Sequence, residues 1–354
     1  MRKLRVGVLG ATGLVGQQFI RLLDNHPWFE LEGIFASKRS AGKEYQQAVD
    51  WLLPCMLPDF IRKEILHEAS LQAVLRKDLD LVFNALPSQC SQTIEHTLAC
   101  EGLFLFSNAS VHRQKEDVPI LIPEINPDHI SLALEQQYKE GFIVTNSNCS
   151  TSGLVFGLKP IIPFGIRNVF VTTYQAISGA GRRGIYSLDI LGNVIPFIPN
   201  EEQKIEQETR KILGTKTEQG ICNAPFNINA SCARVPVRDG HLESVVVELE
   251  SPFELEDIEE AFVKFSKENG LGALPTAPEV PIIIESDIKG PQPIFNFTSL
   301  SNGARSFGMA VIIGRLRKKE TFLNFFLLVH NTIRGAAGAS LLNAEFAWSK
   351  QLLP

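Results

Sequence analysis

A cysteine inside a run of small polar residues is the part of this chain best suited to covalent chemistry. Cys149 lies in the segment SNCST (147–151), after a β-type run and before residues that could begin a helix. At a helix N-terminus, free backbone N–H groups lower the pKa of a thiol and can bind a developing oxyanion. The pattern predicts a nucleophilic thiolate at Cys149 with Asn148 as a polar cap. These residues alone fit a buried structural thiol as well.

A histidine and an arginine further along the chain could complete this chemistry. His241 ends the segment RVPVRDGH (234–241), which Arg234 begins. A thiol nucleophile needs a base and hydride transfer needs a proton acceptor, so His241 is the candidate acid/base. The Arg234 guanidinium could bind a carboxylate through two parallel hydrogen bonds. A lone histidine is more often a surface or core residue, and periodicity does not decide between these interpretations.

Three glycines near the N-terminus indicate a phosphate-binding loop. The segment GATGLVG (10–16) follows an apolar strand predicted at 4–9 and precedes a helix predicted at 14–23. Glycine permits a tight turn and close approach of phosphate to the backbone, and the helix N-terminus attracts the anion. The spacing is a variant of the dinucleotide fingerprint, and the alternative is a glycine-rich turn without a ligand. The predicted contacts are Gly10, Thr12, Gly13, Leu14, Val15 and Gly16.

The end of the second predicted strand, at 31–36, indicates which dinucleotide to expect. An acidic residue there would bind the adenosine ribose of NAD. This chain instead has Ser37, Lys38, Arg39 and Ser40. Two cations and two hydroxyl groups suit a 2′-phosphate, so the sequence favours NADP as the cofactor. The alternative is a solvated basic loop.

Alternating strands and helices predict an α/β protein with two domains. Strands at 79–86, 103–106 and 142–145 would extend the first two into a parallel, doubly wound sheet of the Rossmann type. The second half has longer β-type runs with few helices, which is typical of a mixed sheet in an α+β domain. Its strands are expected at 169–175, 230–237, 244–249, 309–316 and 322–329, and its helices at 201–213 and 255–269. The expected division is 1–146 and 147–330, with an amphipathic helix at 334–350, within 331–354, returning to the first domain.

Composition and cysteine spacing argue against several classes of protein. The net charge of −5 argues against general affinity for nucleic acid or anionic membranes. No stretch has the roughly 18 apolar residues that span a bilayer, and no cleavage site follows the short apolar N-terminus, so we expect a cytoplasmic protein. The six cysteines form no CxxC pair and no zinc-type cluster, so we expect neither a metal site nor a disulfide.

Short motifs along the whole chain point to one family. They are GATGLVG (10–16), SKRSAGK (37–43), SNASVHR (107–113), VPILIPEIN (118–126), SNCST (147–151), YQAISGAG (174–181), EEQK (201–204), RVPVRDGH (234–241) and HNTIRGAAG (330–338). With these motifs in this order, the chain resembles aspartate-semialdehyde dehydrogenases of the branch found in archaea and fungi. Such a match over so many motifs does not arise by chance.

This resemblance implies a reaction and a role for each site residue. The reaction is the NADPH-dependent reductive dephosphorylation of L-aspartyl 4-phosphate to L-aspartate 4-semialdehyde, in the biosynthesis of lysine, methionine, threonine and isoleucine. Cys149 would form an acyl thioester and His241 would be the acid/base. Gln175 and Asn148 would orient the cysteine and substrate, Arg234 would hold the α-carboxylate, Glu202 the α-ammonium, and Arg113, Lys204 and Asn108 the phosphate. Ser178, Gly179 and Gly181 would line the nicotinamide, and Asn331 and Thr332 would close the cofactor pocket. The resemblance further implies a homodimer or homotetramer assembled through the second, catalytic and dimerisation domain.

Two departures and three alternatives accompany this interpretation. Gln203 stands where an acidic residue is expected, and Arg182 with Arg183 adds charge beside the nicotinamide loop. N-acetyl-glutamyl-phosphate reductase has a different cysteine context. Malonyl-CoA reductase would not need an anion for an amine, which the pair Glu201 and Glu202 supplies. A non-catalytic NADP-binding regulator would not need a nucleophile, a base and substrate cations together.

Overall fold

The computed structural model of this chain describes residues 2–181, 184–297 and 305–354, so Arg182 and Arg183 lie outside the described residues. The strands are β1 Leu4–Leu9, β2 Phe29–Ala36, β3 His67–Glu68, β4 Leu81–Asn84, β5 Phe104–Ser107, β6 Phe142–Thr145, β7 Ile166–Gln175, β8 Thr215–Thr217, β9 Gly220–Cys222, β10 Asn227–Arg234, β11 His241–Leu249, β12 Ile282–Glu285, β13 Val311–Lys319 and β14 Phe322–Val329. The helices are α1 Leu14–Leu23, α2 Tyr45–Ala48, α3 Leu71–Leu75, α4 Ser88–Cys100, α5 Ser131–Glu135, α6 Cys149–Leu158, α7 Ser187–Ile190, α8 Glu201–Ile212, α9 Leu255–Glu268, α10 Pro293–Asn296 and α11 Gly338–Ser349.

The first sheet is parallel throughout, with the strand order β3-β2-β1-β4-β5-β6. Strand β4 is buried along its whole length and β1 along most of it, as apolar strands between two helical layers are. The strand order reverses between β1 and β4, and the glycine loop 10–16 leaves the carboxyl end of β1 at this point. Doubly wound sheets bind ligands there. The predicted Rossmann-type domain is therefore confirmed.

The second sheet is mixed, with the strand order β10-β7-β11-β14-β13-β12. Two pairs, β10–β7 and β12–β13, are parallel and the others are antiparallel. Helices α6, α8 and α9 pack on one face, over a core that includes Phe156, Val171 and Phe325. Along β11 buried residues alternate with partly exposed ones, so the opposite face is not covered by these helices. This confirms the predicted mixed sheet.

The final helix differs from its predicted form. A π-helical turn at Ile333–Ala337 precedes α11, and residues 338–347 are all buried rather than amphipathic. The helix is enclosed because it packs between α1 and β5, with Leu341 and Phe346 in the core of the first sheet. Its polar side chains have buried partners: Glu345 Oε1 lies 2.9 Å from His26 Nε2.

Predicted element bounds differ from the observed ones mainly at strand ends. The strand expected at 230–237 spans Asn227–Arg234, since Pro236 has no N–H to donate to a ladder. The strand expected at 309–316 spans Val311–Lys319, because its last residues pair with the start of β14. Among the described helices, none is both long enough and apolar enough to cross a membrane.

Candidate active site

The cysteine singled out from the sequence is the first residue of α6 and lines a cavity of about 540 Å³. Asn148 caps this helix: its Oδ1 accepts hydrogen bonds from the N–H groups of Ser150 and Thr151, at 2.9 and 3.1 Å. The Cys149 Sγ atom lies 3.2 Å from His241 Nε2. The predicted pairing of thiol and imidazole is therefore present in the geometry, although the two residues come from different elements.

The pKa of the thiol differs from the sequence-based expectation. Burial raises the pKa of Cys149 to about 12, and the negative charge of Glu201 contributes to the rise. Arg234 and Arg113 lower this pKa, as does the N–H group of Ser150 at the helix start. The helix N-terminus is present as predicted, but the loss of hydration around the thiolate outweighs it in the site without substrate.

This shift predicts the pH dependence of thiol alkylation. Below its pKa, the thiolate fraction of Cys149 rises about tenfold per pH unit, and the thiolate is the reacting form. We therefore expect the iodoacetamide rate constant of Cys149 to rise steadily from about pH 6 to about pH 9. The rate is measured with NADP and substrate absent, after subtraction of the Cys149→Ser protein to remove the other cysteines. A plateau above about pH 7 would instead reveal the lowered pKa that the helix N-terminus alone predicts.

His241 begins β11 and is oriented by a backbone contact. Its Nδ1 accepts a hydrogen bond of 3.0 Å from the N–H of Ala176. With Nδ1 as acceptor, the neutral ring carries its proton on Nε2, the atom that faces the sulfur. Burial, helped by the charges of Arg234 and His330, lowers the pKa of His241 to about 3, so the ring is neutral near pH 7. In this tautomer Nε2 donates toward the sulfur rather than accepting the thiol proton.

Helix α8 brings a carboxylate and a cation to the cavity. Glu201 Oε1 accepts from Asn148 Nδ2 at 2.7 Å and from Gln175 Nε2 at 3.1 Å. Lys204 Nζ lies 3.6 Å from Glu201 Oε2, and both residues line the cavity. Gln175 thereby joins the group around Asn148, as predicted.

The assignment of Glu202 needs correction, because the structure turns this side chain away from the cavity. Glu202 Oε1 accepts the N–H of Cys232 on β10 at 3.1 Å, and Glu202 is not among the cavity-lining residues. A helix turns about 100° per residue, so neighbouring glutamates face different directions. The first residue of EEQK, Glu201, occupies the place that the sequence assigned to the second.

Arg234 ends β10 beside the nucleophile. Its NH1 donates to the carbonyl of Ala176 at 2.8 Å, and its side chain lines the cavity. The loop at Gly179 passes so close that a Cβ there would lie 2.6 Å from Arg234 NH1 and 3.2 Å from the His241 ring. Gly179 is therefore required for the approach of this loop, which supports its predicted place beside the reacting groups.

The predicted phosphate-binding residues line the same cavity. Arg113 is 7% exposed, and its NH1 donates to Glu208 Oε1 at 3.0 Å. Asn108 lines the cavity as well, and its Oδ1 accepts a hydrogen bond of 2.8 Å from Asn146. Together with Lys204, Arg113 puts two cations within one cavity.

The cavity continues to the start of α1, where the cofactor was predicted. It is lined there by Val15, Ser178, Gly179, Gly181, Asn331 and Thr332. Asn331 Nδ2 donates to Ser178 Oγ at 2.8 Å, and Gln18 on α1 donates to Thr332 Oγ1 at 3.1 Å. These bonds join loops of the second sheet to the helix of the glycine loop.

The glycine loop is shaped as a dinucleotide site requires. Gly10 has φ of 81°, and a Cβ at Gly16 would lie 2.2 Å from the Gly10 carbonyl, so both positions need glycine. Gly13 is the N-cap, and Leu14 begins α1, so Thr12 and Val15 flank a helix start whose N–H groups are free for phosphate. At the end of β2, Ser37, Lys38 and Arg39 are exposed and Ser40 is buried. These residues fit an NADP molecule with its pyrophosphate on α1.

Sequence reasoning missed two buried acids near the nucleophile. Glu208 on α8 contacts Arg113 and the backbone of Asn148, and Glu243 on β11 is fully buried, which raises its pKa well above the usual range. The helical spacing of Glu201, Lys204 and Glu208 could have placed all three on one face of α8. Across the described ranges, no group of three or more His, Cys, Asp or Glu side chains could hold a metal ion.

Comparison with known proteins agrees with this geometry. Residues 5–133 match the family model "Semialdehyde dehydrogenase, NAD binding domain", and residues 158–334 match "Semialdehyde dehydrogenase, dimerisation domain". The aspartate-semialdehyde dehydrogenase of Methanothermobacter thermautotrophicus is 46% identical over 97% of this chain and 98% of its own length. The aspartate-semialdehyde dehydrogenase of Cryptococcus neoformans is 40% identical over 99% of this chain and 98% of its own length.

Solved structures are similar over the same length. The Candida albicans aspartate-semialdehyde dehydrogenase with NADP has a TM-score of 0.86 at 36% identity, covering 99% of this chain and 100% of that one. The enzyme II of Vibrio cholerae, complexed with ASA, has a TM-score of 0.76 at 24% identity, covering 99% of each chain, and shows the shared fold. The two family models, the nearly full-length identity and the shared two-sheet fold show that the chain belongs to the aspartate-semialdehyde dehydrogenase family.

Proposed function

We propose that this chain catalyses the NADPH-dependent reductive dephosphorylation of L-aspartyl 4-phosphate to L-aspartate 4-semialdehyde. The observation that carries the proposal is the 3.2 Å contact between Cys149 Sγ and His241 Nε2 in a cavity lined by substrate-binding charges. The relatives that cover almost the whole chain bear the name of this enzyme, which supports the same conclusion.

The charges around the cavity are complementary to an amino-acid phosphate. We assign Arg234 to the α-carboxylate, because guanidinium binds carboxylate with two hydrogen bonds. We assign Glu201, in place of Glu202, to the α-ammonium group. Arg113 and Lys204, with the amide of Asn108, bind the phosphate on the other side of Cys149. A substrate with these three groups would place its acyl carbon between the anionic and cationic subsites.

The chemistry of the protein groups follows from their positions. Cys149, as thiolate, attacks the acyl carbon; the carbon–oxygen bond to phosphate breaks, the released phosphate takes up the proton of the Cys149 thiol, and a thioester remains. Bound NADPH supplies the hydride that reduces this thioester. The Nε2–H of His241 donates a hydrogen bond to the resulting hemithioacetal oxyanion, which collapses to the aldehyde as the carbon–sulfur bond breaks and the thiolate leaves. Asn148 and Gln175 both donate hydrogen bonds to Glu201. These bonds hold the Glu201 carboxylate in a fixed position relative to Cys149.

An assay of NADPH formation tests the proposed function. Purified protein is mixed with L-aspartate 4-semialdehyde, phosphate and NADP, and the absorbance of NADPH is followed. We expect turnover that requires both phosphate and the aldehyde. Greater activity with N-acetylglutamate semialdehyde, or with malonyl-CoA and NADPH in the reverse direction, would overturn the assignment, and no turnover with any of them would favour a non-catalytic protein.

The basic loop after β2 predicts the cofactor preference. Lys38 and Arg39 are exposed and form no ion pair with another described residue, so they remain available to the 2′-phosphate of NADP. Loss of one charge-assisted contact costs about 1.5–3 kcal/mol, so Arg39→Ala should weaken NADP binding about tenfold or more. Fluorescence titration measures this, with Arg76→Ala as the control, since Arg76 precedes β4 whereas Arg39 follows β2, so the two lie toward opposite ends of the parallel strands. Equal affinities of the unmodified protein for NADP and NAD would contradict the assignment.

We also propose that the protein assembles as a homodimer, or as a homotetramer of two dimers, through its second domain, 147–330. The matched family model is named a dimerisation domain, and the face of the second sheet away from the helices exposes 48% of Phe170. Apolar side chains at a partly covered sheet face are typical of an interface. Sedimentation at micromolar concentration should give at least twice the mass of one chain, and Phe170→Glu should shift it toward one chain. A single-chain mass for the unmodified protein would rule the assembly out.

We propose a cytoplasmic location for the enzyme. All six cysteines are free thiols, which fits a reducing compartment and supports a cytoplasmic enzyme. Cell fractionation with activity confined to the membrane or secreted fraction would contradict this.

A further inference from the structure

A buried glutamate on α8 connects the two halves of the site. Glu208 is 1% exposed and lies seven residues, about two turns, after Glu201 on the same face of the helix. Its Oε1 accepts a hydrogen bond of 3.0 Å from Arg113 NH1. Its Oε2 accepts a hydrogen bond of 2.5 Å from the backbone N–H of Asn148, the residue before the nucleophile. One carboxylate therefore contacts both the Arg113 guanidinium and the backbone of Asn148, the residue before Cys149.

The Arg113 side chain depends on this carboxylate for its orientation. The backbone of the 113–118 loop is fixed separately, because Lys211 Nζ donates to the carbonyls of Arg113 and Val118 at 2.7 and 2.9 Å. The guanidinium itself has only two hydrogen bonds within the described residues, one to Glu208 and one of 2.9 Å to the Asn108 carbonyl. Glu208 consequently controls where the guanidinium points, while Lys211 controls where its backbone lies.

The Asn148 contact acts on the nucleophile in the same way. Asn148 caps α6, and Cys149 is the next residue, so a shift of the Asn148 backbone moves the sulfur with it. Both partners of Glu208 are donors, which two carboxylate oxygens can satisfy together. The two partners bond to different oxygens, and in glutamine one of these is replaced by an NH2 donor, so one partner loses its hydrogen bond.

We propose that Glu208 is a positioning residue that sets the phosphate-binding guanidinium of Arg113 and the nucleophile Cys149 at a fixed separation. This inference rests on the proposed function, since it uses Arg113 as the phosphate ligand. Glu208 is not among the residues that line the cavity, so its carboxylate acts through Arg113 and Asn148. Its effect therefore reaches two separable steps: thioester formation at Cys149, and attack of phosphate on that thioester.

The test measures these two steps of the oxidative direction separately in Glu208→Gln. A rapid burst of NADPH formation, with semialdehyde and NADP but no phosphate, reports thioester formation. Phosphate-dependent turnover then reports phosphate attack. We expect Glu208→Gln to lower the burst rate at least threefold and the kcat/KM for phosphate at least tenfold, as loss of a charge-assisted bond does. Arg113→Gln should lower the second value at least tenfold and lower the burst rate less than Glu208→Gln does, since its charge acts on the Cys149 thiol only from a distance.

A matched control lies two residues earlier on the same helix. Glu206 Oε1 accepts the N–H of Ala230 at 3.1 Å, away from the cavity, so Glu206→Gln removes the same charge and should leave both steps unchanged. NADP affinity, measured on every variant, verifies that the fold is intact. An unchanged burst rate in folded Glu208→Gln overturns the proposal, because Glu208 would then act on Arg113 alone.

A second comparison covers the case in which Glu208→Gln does not fold, since it leaves the buried Arg113 charge without its partner. The double variant Arg113→Gln/Glu208→Gln removes both charges. Its burst rate should be at least threefold below that of Arg113→Gln, and equal rates overturn the proposal. Failure of the proposed function is seen differently: the unmodified protein would show neither a burst nor phosphate-dependent turnover.

Discussion

Replacing Cys149 with serine is expected to abolish almost all turnover while the protein still folds and binds NADP. Serine is nearly the same size as cysteine and tolerates the first position of α6, where Asn148 supplies the cap. A serine hydroxyl is scarcely ionised near neutral pH. A cysteine thiol loses its proton more readily, and the resulting thiolate is the effective nucleophile. The NADPH-formation assay should therefore fall below a few per cent of the unmodified rate.

Two further variants separate the nucleophile from its neighbours. Cys90→Ser, at an exposed cysteine on α4, makes the same chemical change away from the cavity and should retain full activity. His241→Asn should lose less than Cys149→Ser, since general acid/base assistance contributes about 10²–10⁴-fold. Retention of more than a few per cent activity in Cys149→Ser would exclude the covalent mechanism and require either another cysteine or direct hydride transfer.

The fold could be predicted because burial of apolar strands leaves a regular pattern. The first sheet has near-continuous apolar strands such as Leu81–Asn84, which indicate two covered faces. In the second sheet, buried residues alternate with partly exposed ones along His241–Leu249, which indicates a single covered face. The final helix could not be predicted in the same way. Its burial on all sides depends on α1 and β5, which lie far from it in sequence, and local periodicity does not record that enclosure.

The site was predicted unevenly, for physical reasons. The pairing of Cys149 with His241 followed from chemistry that needs a nucleophile and an acid/base, and the contact is in the structure. The thiol pKa did not follow, because the helix N-terminus is a local feature and desolvation is set by the whole cavity. The role of Glu208 was hidden for a similar reason: its two partners come from elements that only the tertiary fold brings together.

Glu201 and Glu202 are adjacent on α8, so their side chains point about 100° apart. Which of the two binds the ammonium group has a large expected effect on the KM for the substrate. Glu201 accepts hydrogen bonds from Asn148 and Gln175 inside the cavity, whereas Glu202 accepts one from the Cys232 backbone. Only the first can face a substrate ammonium group. Sequence inspection of two adjacent glutamates cannot fix which one points inward, because both are compatible with an N-terminal turn of α8.

Glu201→Gln and Glu202→Gln form a matched pair that decides the assignment. Glu201→Gln keeps the shape but removes the charge opposite the ammonium group, so the KM for aspartate semialdehyde should rise about tenfold or more. Its kcat should change less than its KM, because one amide oxygen can still accept from both Asn148 and Gln175, as Glu201 Oε1 does. Glu202→Gln should stay near the unmodified values, since glutamine can still accept the Cys232 N–H.

Succinate semialdehyde, which lacks the amine, sharpens the measurement. Glu201→Gln should lose most of its preference for the aminated substrate, and Glu202→Gln should keep it. A larger loss in Glu202→Gln would return the ammonium site to the second glutamate, and an unchanged preference in both would mean that neither carboxylate binds the amine.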